Sequence, residues 1–323
     1  MEEAILGLPE QFRFKPEIKE KGKLCAKYEM SFVIGMGGSH LCGGILKAIN
    51  PSLPIYIRKD YGLPTVPHAL KEKTLFVFVS YSGNTEETLD AFEEAVTEGL
   101  NVAVITTGGV LGARAEELSV PRVIIPHTGI QPRNAVGYST LSLATVLCDG
   151  DSIKELQALS DELEPEKERP KGFEIAEMLE DSIPLIYASS DNETLAYNWK
   201  IKFNETTKIP SFYNVFPELN HNEMEGFGVT DSTRELSSPI AVCFLSDSND
   251  HPRIRKRMEV TEGIYREHGI KSYQFELEGL SRAERIFRGL SVADWASLEL
   301  SLSHYKTDYD NVPVIEKFKK LIK

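Results

Sequence analysis

The sequence predicts an α/β protein of two doubly wound domains, each a parallel sheet flanked by helices. Short β-rich runs alternate with longer helical stretches, which is the signature of strands joined by crossover helices. The alternation repeats in kind on either side of a charge-rich stretch at 149–169. A chain of 323 residues is too long for one small domain and suits two of ordinary size. The expected domains are 1–152 and 153–323.

In the first half, 31–34 reads as a strand cut off by the turn Gly35-Met36-Gly37-Gly38. A helix follows over 39–50, where Pro51 stops it. Strands are expected at 54–59, 74–79, 102–106 and 122–125, the second of them (TLFVFV) fully buried. The segment 85–98 is helical, with Leu89, Phe92, Ala95 and Val96 on one face, and 137–147 is an apolar helix. The stretch 149–169 reads as a solvated helix and linker. In the second half, strands are expected at 184–188, 240–245 and 272–275. Helices are expected at 193–206, 250–268, 293–305 and from Pro313 onward, and the polar turn Ser189-Ser190-Asp191-Asn192 follows the first strand.

Composition excludes several classes. Lys and Arg number 36 against 49 Asp and Glu, so a formal net charge of −13 offers no extended basic surface for nucleic acid or an anionic membrane. No apolar run approaches the ~18 residues of a membrane span, and the charged first segment lacks a signal-peptide core. Cys25, Cys42, Cys148 and Cys243 form no C-x-x-C pair, which argues for buried free thiols in a reducing cytoplasm.

The most informative segment runs from Val77 to Thr88. A buried strand ends at Ser80, Gly83 permits a tight turn, and Asn84 is placed to cap a helix with Glu87 three residues on. The hydroxyls of Ser80, Ser82 and Thr85 then converge where helical N–H groups are unpaired and the dipole is positive, a device that holds phosphate. Taken alone, the turn is equally a helix cap. The second turn, Gly35-Met36-Gly37-Gly38-Ser39, shifts the balance, because ligands of doubly wound sheets bind at the carboxyl ends of strands. A dinucleotide fingerprint would want glycine at His40, and no G-K-[ST] is present for a P-loop.

A strand leading into S-x-S-G-N-T-x-E-T and a helix, preceded by G-M-G-G-S, resembles the sugar isomerase (SIS) domain. The whole chain resembles the bifunctional phosphoglucose/phosphomannose isomerases, built from two such domains. The resemblance implies a hexose 6-phosphate substrate, an aldose–ketose isomerisation through a cis-enediol, no cofactor and no metal. It places phosphate on Ser39, Ser80, Ser82 and Thr85, with Gly37 and Gly38 lining the sugar.

Such a reaction needs a base between C1 and C2, a stabiliser for the enediolate and help with ring opening. The family's N-E-N-x-K stands here as Asn204-Glu205-Thr206-Thr207-Lys208, which makes Glu205 the expected general base. The family pattern P-E-x-x-H-N-E is kept at 217–223 and implies that His221 catalyses ring opening, reaching a neighbouring subunit's site in a homodimer. Metal binding by His221 with Glu218, Glu223 or Glu225 has the donors, but the spacing fits no standard metal motif. Arg133, in a P-R motif at a helix entry, is expected to stabilise enediolate charge. Lys319, in the closing helix, matches the lysine that assists at the ring oxygen, with Lys317 and Lys320 as near competitors. Val312 stands where dual-specificity members carry threonine, which leaves mannose 6-phosphate open as a second substrate. A non-catalytic phosphosugar sensor is the competing class; such proteins lose the base, histidine and lysine together, and all three are present here.

Overall fold

The computed structural model describes residues 1–24 and 28–322, so the expectation for Cys25 lies outside the described residues. The chain divides into two compact units, one of Gly7–Leu163 and one of Met1–Leu6 with Glu164–Lys323.

The described strands of the first unit are β1 (Ile18–Lys19), β2 (Met30–Ile34), β3 (Ile55–Arg58), β4 (Thr74–Ser80), β5 (Asn101–Thr106) and β6 (Arg122–Ile124). They form one sheet in the order β1-β6-β5-β4-β2-β3. Pairing is parallel throughout except for β1, a two-residue antiparallel edge too short to carry a period-2 signal in sequence. Every residue of β4 is buried, as expected of a central strand covered on both faces. Its Phe76 and Phe78 pack with Phe32, Phe92, Val104 and Leu111, and the Phe78 and Phe92 rings meet edge to face with centroids 5.4 Å apart.

The stretch 149–169 contains the helix expected of it, but that helix is packed rather than solvated on all sides. Asp149 accepts a hydrogen bond from the Ser152 amide and starts a helix, Gly150–Glu162. Leu156 and Leu159 on that helix are fully buried, and it packs on the short helix Leu8–Phe12. Two leucines three apart suffice to turn a charge-rich helix into a core element. Position 152 therefore lies inside a packed helix of the first unit.

The second unit holds β7 (Ile183–Ser189), β8 (Phe212–Phe216), β9 (Ile240–Ser246) and β10 (Lys271–Glu276), parallel in the order β10-β9-β7-β8. β8 is a strand that the sequence pattern does not announce: Asn214 interrupts its apolar run and prolines flank it. It lies at the sheet edge, where such a sequence is tolerated. The helix expected over 293–305 starts at Arg282, capped by Ser281, whose Oγ accepts from the Glu284 amide at 3.1 Å. Its charged first turns hide it from a reading by apolar content. Within this unit Lys202 and Asp294 form a buried ion pair at 2.6 Å. Cys42 and Cys243 are buried, whereas Cys148 is exposed, against the expectation of buried thiols. Among the described residues no helix is long and apolar enough to cross a membrane.

Candidate functional site

In the first unit, three loops close together at the carboxyl ends of β2, β4 and β5. β4 delivers Ser80 into a turn that Gly83 completes at φ +68°, a conformation glycine adopts without steric cost. A Cβ on Gly83 would stand 1.9 Å from the Gly108 carbonyl oxygen, and one on Gly109 would stand 2.4 Å from the Ser82 oxygen. The serine turn and the Gly108-Gly109 turn after β5 thus lie backbone to backbone. Thr107 Oγ1 donates to the Tyr81 carbonyl at 2.6 Å and fastens the two. This Thr-Thr-Gly-Gly turn is absent from the expected site, although a buried strand running into paired glycines is a readable signal.

Ser80 Oγ lies 2.9 Å from Thr85 Oγ1 and accepts from the Gly83 amide at 3.1 Å. Ser82 is exposed and accepts from the Asn84 amide at 3.2 Å. Asn84 does not cap the helix as expected. Its side-chain amide donates to the Ser82 carbonyl at 3.1 Å, and its Oδ1 accepts from the Val110 amide at 3.1 Å, so it cross-links the two turns. Thr85 is the residue that opens the helix Glu86–Thr97, and among the described residues no side chain caps that first turn. The amide-rich, positive end of the helix dipole is left beside three hydroxyls.

The glycine-rich turn joins the same cradle. Ser39 Oγ accepts from the Tyr81 amide at 3.1 Å, which ties it to the serine turn. A Cβ on Gly38 would meet the Arg133 amide at 3.0 Å, so the 37–40 turn packs against the backbone of Pro132-Arg133. Gly37 takes φ +53° with nothing within 4 Å of its missing Cβ. Arg133 itself is only 2% exposed. His40 is buried behind the turn, and burial, with the Lys59 charge second, lowers its pKa to about 4. The structure therefore gathers Gly37, Gly38, Ser39, Ser80, Ser82, Thr85 and Arg133 within one unit.

Glu205, His221 and Lys319 belong to the second unit and stand on three different elements. The helix Glu193–Lys202 does not end cleanly but widens into a π-helical turn, Phe203–Thr207, which carries Glu205 half-buried. The turn is held from outside: the Thr206 carbonyl accepts from Ser301 Oγ and Thr307 Oγ1, both at 3.1 Å, and Thr207 Oγ1 donates to the Ser297 carbonyl at 3.0 Å. Tyr197, on the helix leading into this turn, has its hydroxyl pKa raised by burial first and by the Glu205 charge second.

His221 ends a 3-10 turn, Glu218–His221, and is exposed; the buried Leu219 anchors the turn. Glu223 is committed elsewhere: its carboxylate accepts from Tyr187 at 2.6 Å and from Asn214. Glu218 accepts from Asn222 at 3.0 Å. Among the described residues no cluster of three or more His, Cys, Asp or Glu is arranged to hold a metal ion. Lys319 is exposed on the closing helix, Pro313–Leu321, whose entry residue is Val312.

Comparison with known proteins follows the same lines. Residues 169–322 match the model of the bacterial phospho-glucose isomerase C-terminal SIS domain. A bifunctional phosphoglucose/phosphomannose isomerase of Thermoplasma volcanium is 33% identical, covering 99% of this chain and 98% of its own. One from Caldicellulosiruptor bescii is 32% identical, covering 97% and 95%. The crystal structure of tagatose-6-phosphate ketose/aldose isomerase from Escherichia coli shares the fold at a TM-score of 0.69 and 16% identity, over 96% of this chain and 94% of that one. The resemblance read from the serine turn, the glycine turn and the 204–208 and 217–223 segments thus extends over nearly the whole length, and the chain belongs to the family of the bifunctional phosphoglucose/phosphomannose isomerases.

Proposed function

We propose that the protein interconverts glucose 6-phosphate and fructose 6-phosphate. The observation that carries this reading is the cradle of Ser39, Ser80, Ser82 and Thr85 around an uncapped helix start. In a chain of net charge −13 the long-range field repels an anion, so a phosphate needs such a local device.

With phosphate held there, the other residues divide the chemistry. His221 and Lys319 open the ring: the anomeric hydroxyl loses its proton as the ring oxygen gains one. Glu205 takes the C2 proton of the open aldose while O1 becomes protonated, giving the cis-enediol. Loss of the O2 proton and return of a proton to C1 complete the ketose. Arg133, a buried guanidinium, stabilises negative charge on the enediolate oxygens. Glycine at 37 and 38 lets the backbone line the sugar. His221 works across the interface of a homodimer, and the protein acts in the cytoplasm.

A coupled assay that feeds fructose 6-phosphate and detects glucose 6-phosphate, run with chelator, tests the reaction. Glu205→Gln keeps the shape of the side chain without its basicity, so turnover is lost by about 100-fold or more while fructose 6-phosphate still binds. Equal turnover in the variant and the parent removes Glu205 from the mechanism. Mannose 6-phosphate is a weaker substrate here, since Val312 supplies no hydroxyl at the helix entry. The same assay with that sugar measures it.

A further inference from the structure

The π-helical turn that carries Glu205 ends at Lys208, which adopts the left-handed conformation at φ +64°. A side chain with a Cβ is strained there, and glycine is the residue that fits at no steric cost. The Lys208 side chain is engaged with two backbone carbonyls. The ammonium folds back to donate to the backbone carbonyl of Glu205 itself. It also donates to the carbonyl of Asn311, more than a hundred residues further on, at 2.5 Å.

The loop that receives this second bond is itself organised. Asp308 accepts from the amides of Asp310 at 3.3 Å and Asn311 at 3.2 Å, and from the Asn311 side chain at 3.0 Å. Asn311 is followed by Val312 and by the helix Pro313–Leu321 that carries Lys319. One side chain thus joins the turn of the proposed base to the root of the helix of the proposed ring-opening lysine. The comparable π-helical turn at Leu300–Tyr305 also ends on a left-handed lysine, Lys306 at φ +50°, but Lys306 donates to no such pair of carbonyls among the described hydrogen bonds.

We infer that Lys208 is a positioning residue: its ammonium straps the Glu205 turn to the 308–311 loop and so sets the base in register with the closing helix. The inference rests on the reading of Glu205 as the base. A carboxylate displaced by about 1 Å from a near-attack geometry loses up to about 100-fold in rate. Binding of the phosphate depends on the cradle of the other unit and does not pass through Lys208.

The test uses Lys208→Gly, which removes the ammonium and also relieves the left-handed backbone, beside Lys208→Arg and Glu205→Gln. The strap predicts that Lys208→Gly unfolds within a few degrees of the parent, while its kcat for fructose 6-phosphate falls about tenfold or more with KM within about twofold. Lys208→Arg, which retains a cation of similar reach, recovers most of that kcat. A purely structural lysine would move stability and leave kcat alone. If Glu205→Gln is inactive and Lys208→Gly retains parental kcat, the strap is wrong and the base stands. Should Glu205→Gln keep full turnover, both fall, because no base remains to be positioned. Lys208→Gly that is unstable, and recovers full kcat once folded at low temperature, also overturns the strap.

Discussion

Ser80 and Ser82 are two residues apart and look interchangeable in sequence, yet their surroundings give them different work. Ser80 is 1% exposed and bonded to Thr85 and to the Gly83 amide, so Ser80→Ala removes part of the turn's scaffold and costs about 1 kcal/mol of stability. Ser82 is exposed and bonded only locally, so Ser82→Ala stays within about 0.5 kcal/mol of the parent. Its KM for fructose 6-phosphate rises on the order of tenfold, as expected for a lost hydrogen bond to a charged group. Chemical denaturation and steady-state kinetics on the pair check the split; an unchanged KM for Ser82→Ala counts against the phosphate cradle. His40 makes a separate prediction. Its folded pKa of about 4 lies below the ordinary value near 6.5, so the unfolded chain binds the proton first as pH falls. The stability this group contributes is whole above pH ~6.5 and is lost toward pH ~4, by up to about 3 kcal/mol. Denaturation of the parent and of His40→Asn across that window should show the shallower slope in the variant. Parallel slopes would mean that the histidine titrates normally.

At the scale of elements, the cradle depends on two turns that pack without side chains between them. Gly83→Ala would force a Cβ to 1.9 Å from the Gly108 carbonyl at a backbone φ of +68°. Both the clash and the left-handed strain act, and together they cost about 2–4 kcal/mol. Thermal unfolding of Gly83→Ala should show this, with phosphosugar binding lost as well; a variant that folds and binds normally would mean that the turns are not fastened as described. Long, strongly patterned elements are legible in the amino-acid order alone: β4 as TLFVFV, the helix at Glu86–Thr97, and β9. Other features are set by contacts rather than by local pattern. β8 is a strand because β7 pairs with it, despite Asn214. Asn84 has the right spacing for a cap, but the Gly108-Gly109 turn offers it a competing partner in the Val110 amide. The residues of the proposed phosphate cradle stand out in the sequence because two glycine-containing turns after buried strands, at 35–39 and 80–85, concentrate them. The strapping role of Lys208 is not, because its two acceptors are carbonyls, one of them far along the chain, and carbonyls have no sequence signature.

On the scale of the whole molecule, doubly wound sheets take ligands in the crevice at the carboxyl ends of their strands, and in the first unit that place carries the proposed phosphate cradle. In the second unit that position is filled by the protein's own carboxylate. Asp247, at the end of β9 and 1% exposed, pairs with Arg282 and lies 3.4 Å from Arg285. Arg282 also donates to Asn192 at 2.8 Å and to the Asp191 carbonyl at 2.9 Å, in the polar turn that follows β7. A carboxylate with two arginines is the arrangement that a bound phosphate would otherwise complete. The chain should accordingly bind one hexose phosphate, not two, and calorimetric titration with fructose 6-phosphate measures the number directly. Asp247→Asn sharpens the argument, since it leaves buried guanidinium charge uncompensated and should cost about 3–5 kcal/mol. Asp247→Ala vacates the position as well, so inorganic sulfate should raise the unfolding temperature of that variant more than that of the parent. Two equivalent sites in the parent, or an Asp247→Asn variant as stable as the parent, would show that the second crevice is open rather than filled from within.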